Sequence, residues 1–229
     1  MSSDSILALL TVLWPSLLMI IGLGIGLGLN ALADQVQRER PGSPDVPQRA
    51  LRLMLVTAFL FGLAGVCFGL TWRAALDCVY ISVLVLVTAT DLEHRLIPHR
   101  FILPAILVAL LASFFVDWMT WKAALLGGVV GLVFFGLAYG IAAVLYPGKL
   151  ALGMGDVTLS TFVGLAVGFP GALVAVMLGV LMGGLFSAIL LLSRRVTLRT
   201  AIPYGPFLVL GGLVAMFWGQ SITRWWLGT

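Results

Sequence analysis

The feature that most constrains this chain is the recurrence of apolar runs long enough to cross a lipid bilayer. A bilayer's hydrocarbon core is about 30 Å thick, so a helix needs roughly 17–25 apolar residues to cross it. Eight candidate spans follow one another: residues 5–32, 51–70, 73–90, 101–117, 121–146, 156–169, 171–193 and 203–227. The sixth is short, and only the Gly/Pro break in "VGFPGAL" parts it from the seventh. With 61% hydrophobic residues and a mean hydropathy of +1.14, a soluble fold would leave much apolar surface in water. The sequence therefore predicts an all-α fold, a polytopic transmembrane helix bundle of about eight spans with lipid as its solvent.

The basic residues give this bundle a direction. With the N-terminus outside, the inside loops hold Arg38, Arg40, Arg49, Arg52, Arg95, Arg100, Lys149, Arg194, Arg195 and Arg199, and the outside holds only Arg73, Lys122 and Arg224. Ten against three obeys the positive-inside rule. The net charge of +4 is then a topology signal and requires no nucleic-acid partner. "MSSD" lacks the basic n-region of a signal peptide, and the run after it is too long for an h-region, so the first helix is expected to be retained.

Only "ADQVQRERPGSPDVPQRA", residues 33–50, looks like a solvated loop of any size, and it is too short to fold alone. No strong internal repeat is visible, so residues 1–229 are expected to form one membrane domain. Glycines at four-residue spacing (Gly22/Gly26, Gly24/Gly28, Gly164/Gly168, Gly179/Gly183) suit close helix packing in lipid. "GLGIGLG" has no strand beside it and is no dinucleotide fingerprint. Cys67 and Cys78 fall at the outer ends of the second and third spans, where packing is favoured over pairing; without a CxxC, no thiolate zinc site can form. His94 and His99 lie across a proline on a loop with one glutamate, a poor ligand set, so surface histidines and no metal are expected.

Ionisable groups near helix ends of an apolar bundle are where chemistry is to be sought. Of nine acids, Asp4, Asp34, Glu39, Asp45, Asp77 and Asp117 lie in tails, loops or near outer helix ends, where solvation suffices. Asp91, Glu93 and Asp156 remain at the inner face. Asp91 follows "LVLVTAT" without a spacer and should sit at the membrane boundary, with Glu93, His94 and Arg95 already meeting water before Pro98 turns the chain. Asp156 opens the sixth span from the same side, so the topology brings both carboxylates to one face. Taken alone, Asp156 suits a helix N-cap and Asp91 an interfacial loop. Taken together, two neighbouring carboxylates that share a proton suit peptide hydrolysis: one activates water while the other protonates the leaving group. Gly153 and Gly155 would leave room for a substrate backbone.

Three stretches carry a resemblance. "DLEHRLIPHRF" from Asp91, "GMGDVTL" from Gly153 and "AIPYGPFLVLGG" from Ala201 resemble the signature regions of the bacterial type IV prepilin peptidases, of the GxGD class of membrane aspartic proteases. "GLGLNALADQVQRERP", with Asn30, resembles that family's first-helix exit. The resemblance implies that Asp91 and Asp156 are catalytic. Gly153 and Gly155 match the motif glycines, with Pro98, Thr158, Pro203, Gly205 and Pro206 in support. It also implies that the substrates are prepilin-like precursors, with pseudopilins among them, whose leaders are cut at the cytoplasmic face of the inner membrane, just before the substrate's apolar helix.

The chain departs from that pattern in three places. Residues 33–50 stand where longer members carry a cysteine-rich cytoplasmic insertion linked to N-methylation, so cleavage without methylation and without a cofactor is expected. Thr158 replaces a frequent lysine, and His99 replaces a common Asp or Asn. Two other functions compete. A proton-coupled transporter would want acids near the midplane and repeated halves, neither visible here. An inactive scaffold of a secretion machine would not need the intact aspartate pair.

Overall fold

A computed structural model of the chain describes residues 3–38, 48–145, 153–194 and 203–228. The described residues form eight helices and no strand: α1 (Ser3–Arg38), α2 (Arg49–Phe68), α3 (Trp72–His94), α4 (His99–Ala112), α5 (Trp121–Leu145), α6 (Met154–Val167), α7 (Gly171–Leu192) and α8 (Gly205–Leu227). Each of the eight expected spans corresponds to a helix. Six are long and apolar enough to cross a membrane, whereas α4 and α6 have 14 residues each. At that length a helix covers only about 21 Å. The protein is a multi-pass, all-α membrane protein. Its contacts divide it into two compact units, Met1–His94 and Arg95–Thr229.

In the first unit α1 and α2 pack antiparallel. A Cβ on Gly22 would lie 2.7 Å from Ala58 Cα, one on Gly26 2.5 Å from Met54 Cα, and one on Gly65 2.9 Å from Pro15 Cα. Nothing but glycine lets the two backbones approach so closely. The Trp14 indole closes one end of this seam, donating to the Gly69 carbonyl at 2.7 Å. α3 packs against both helices and buries Ala74, Ile81, Leu84 and Val87. α1 runs to Arg38, several residues into the stretch expected to be loop. Ala33 and Val36 continue its buried stripe, and the first proline of that stretch is Pro41. Residues 39–47 of that loop, and Lys149, Arg195 and Arg199 of the inner charge count, lie outside the described residues.

In the second unit the short α6 is the hub, packed against α4, α5, α7 and α8. Leu159 and Phe162 are fully buried. α5 and α6 run antiparallel through facing small residues, with Gly127 against Gly164 and Gly131 against Ser160, whose hydroxyl donates to the Gly131 carbonyl at 3.0 Å. α7 and α8 pair in the same way, with Gly179 against Leu208 and Gly211 against Ala175. The uncertain sixth–seventh break is a genuine helix end: Gly168 takes φ 66°, and the Phe169 N–H donates to the Ala123 carbonyl at 2.8 Å.

Candidate active site

Asp91 lies in the last turn of α3, only 5% exposed. The turn before it is buried or half-buried, and its hydroxyls are satisfied inside the helix. Thr90 donates to the Leu86 and Val87 carbonyls at 3.2 and 3.1 Å, and Thr88 to the Leu84 carbonyl at 2.8 Å. Such back-bonding removes the need for water at this depth. Glu93 and His94, expected in water, are buried instead, their side chains 8% and 3% exposed. There the Arg49 guanidinium donates to Glu93 at 2.9 Å. His99, by contrast, is exposed, as expected.

Asp156 is buried in the first turn of α6, 8% exposed. The N-cap is Gly153, with ordinary extended backbone (φ −88°, ψ 149°), and Asp156 sits three residues later. Its carboxylate reaches back to accept the Gly153 N–H at 3.0 Å. That is half of a capping box, the other half being impossible for a glycine cap. The contact fixes one carboxylate oxygen and leaves the second for other partners.

The two motif glycines differ in their surroundings. A Cβ on Gly153 would meet nothing nearer than Asp156 Oδ2, at 3.5 Å. On Gly155 it would lie 2.7 Å from Ile97 Cβ. Gly155 therefore brings the start of α6 against the segment of Ile97 and Pro98, where Pro98 is the N-cap of α4. Thr158 is half-buried, and its hydroxyl donates to the Gly155 carbonyl at 2.9 Å.

Antiparallel pairing with α5 sets how far Asp156 is recessed. Gly136 faces Val157, so α5 runs on for nine residues, 137–145, past the turn that holds Asp156. Those residues extend about 14 Å. The third signature segment lies beside this turn. Pro203 leads to Tyr204, the N-cap of α8, followed by Gly205 and Pro206 as its first helical residues, where a proline loses no hydrogen bond. The Tyr204 ring packs 5.7 Å from that of Phe135 and 6.4 Å from that of Phe207. Sequence reasoning passed over Tyr204, although it stands between two residues that were singled out. It also passed over Arg49, which was read only as a topology charge.

Asp77, expected to be solvated, is buried in the first unit, 3% exposed, beside Arg73 at 3.7 Å. Among the described residues no three His, Cys, Asp or Glu side chains gather as a metal site.

Both motif carboxylates are therefore buried, Asp91 in the last turn of α3 and Asp156 in the first turn of α6. Residues 78–188 match the type IV leader peptidase family. The chain is 34% identical over 176 residues to the prepilin leader peptidase/N-methyltransferase of Bacillus subtilis (strain 168), covering 76% of this chain and 67% of that one. It is 31% identical to the protein of that name in Pseudomonas aeruginosa, and 32% identical to the one in Aeromonas salmonicida (strain A449). These matches cover 76% of this chain but only 59% and 60% of the relatives. No solved structure matches the chain. The chain belongs to the type IV leader peptidase family, and its class is that of a membrane peptidase.

Proposed function

We propose that this peptidase removes the leader from type IV prepilin or pseudopilin precursors, with Asp91 and Asp156 as its catalytic pair, at the cytoplasmic face of a bacterial inner membrane. The observation that carries the reading is that both motif carboxylates are buried at helix ends, where an apolar bundle keeps ionisable groups only at a cost. Ionised, one carboxylate takes a proton from a water whose oxygen adds to the scissile carbonyl carbon. The other, holding the one proton that such a catalytic pair would share, donates to the carbonyl oxygen. As the C–N bond breaks, the leaving nitrogen takes up a proton from the pair.

The open backbone at Gly153 supports a substrate approach on that side of Asp156, while the space over Gly155 is taken by Ile97. Pro98, Pro203, Gly205 and Pro206 set the entries of α4 and α8. The precursor's basic leader would lie on the inner surface, with its apolar helix in lipid.

Co-expression with prepilin genes from the same genome tests the reading. A leader-sized mobility shift that requires this chain is expected, and unchanged precursors from every pilin-like gene would contradict it. Mass spectrometry of the product addresses methylation. With this chain as the sole processing enzyme and S-adenosylmethionine supplied, the new N-terminus should be free, and a methyl adduct would overturn that expectation.

A further inference from the structure

We propose that Arg49 is a positioning residue for Asp91, tying α1 and α2 to Glu93 and so fixing the last turn of α3. The inference rests on the catalytic role of Asp91 proposed above. Asn30, Asp34 and Gln37 recur at i, i+4 and i+7, which places them on one stripe of α1. Arg49, the first residue of α2, reaches all three and Glu93 as well. Its Nε donates to Asn30 Oδ1 at 2.9 Å, its Nη1 to Gln37 Oε1 at 3.1 Å and to Glu93 Oε2 at 2.9 Å, and its Nη2 pairs with Asp34 Oδ1. Every guanidinium nitrogen is engaged.

Helix propensity does not explain these charges. A cation in the first turn of α2 and an anion in the last turn of α3 each oppose the helix dipole. Both side chains are at least nine-tenths buried. What holds them there is their mutual pairing, and losing one partner would strand a buried charge. Nor does the α1–α2 seam need such a cluster to close, because at its other end one neutral hydrogen bond from Trp14 does so. The ionic tie stands at the end that carries Asp91.

That end is also where α3 is weakest. The last carbonyls of a helix lack intrahelical donors. Here the chain leaves through Arg95 at φ 51°, a left-handed conformation without glycine's freedom. Asp91 is two residues from Glu93, in the turn that this tie anchors.

The test uses the full chain in lipid nanodiscs with a purified leader-bearing prepilin, comparing wild type, Arg49→Met, Arg49→Lys and Glu93→Gln. Arg49→Met should lower kcat about 100-fold, as expected for a reacting group displaced by about 1 Å, while KM stays within about 2-fold. Arg49→Lys, which keeps the charge, should recover part of that loss. In hydrogen exchange, amides of residues 88–94 should open about 10-fold more readily in Arg49→Met and in Glu93→Gln, with α5–α8 unchanged. If Arg49→Met does not fold, Glu93→Gln and Arg49→Lys decide the matter, since each leaves Asp34 paired with a cation. Unchanged exchange at 88–94 in Glu93→Gln, or wild-type kcat in folded Arg49→Met, would overturn the proposal. The exchange arm needs no substrate, so it distinguishes failure of the tie from failure of the peptidase reading.

Discussion

A Cβ at Gly155 would lie 2.7 Å from Ile97, so the residue is glycine because another side chain occupies the space where its own would be. From sequence, Gly153 and Gly155 were equivalent places for a substrate to approach; the structure leaves only Gly153 open. Gly155→Val should lower stability by about 1–3 kcal/mol through overpacking and take activity with it, as thermal unfolding and cleavage assays would show. Gly153→Ala should leave the unfolding midpoint alone and act through KM, and a large drop in stability would contradict this. Arg49 and Glu93 were illegible for one reason: a charge next to a helix end reads as solvated until its partners on other helices are known.

At the scale of elements, the eight helices were readable because lipid demands continuous apolar runs, a signal that tertiary packing does not overwrite. Which face of a run packs was not readable. Gly22 and Gly26 let α2 approach, while the interleaved Gly24 and Gly28 have nothing within 4 Å, although both pairs share the four-residue spacing. The same contrast gives a test on α5. Gly131→Leu would drive a side chain into the backbone of Ser160 and should destabilise the protein by about 1–3 kcal/mol or more. Gly140→Leu, with open space around it, should be neutral in the same melting experiment. The recess of Asp156 is likewise a property of paired elements. Its position in the sequence placed it at the mouth of a span, but register with α5 leaves nine residues running past it.

For the whole molecule, the ten-to-three distribution of basic residues predicts which side of the membrane meets the substrate. In a background lacking Cys67 and Cys78, Met154→Cys, at an exposed residue beside Asp156, should react with an impermeant thiol reagent added from the cytoplasmic side. Lys122→Cys, at the opposite end of α5, should react only from the other side. The reverse pattern would invert the topology. The proposed catalytic pair is tested most directly by following cleavage of a purified prepilin by the wild-type chain, Asp91→Asn and Asp156→Asn in lipid. Asn keeps the size of each side chain but can neither activate water nor share a proton. The account predicts that both variants insert and melt like wild type yet release no leader, with wild-type cleavage indifferent to chelators. Near wild-type release of the leader by either variant would contradict it.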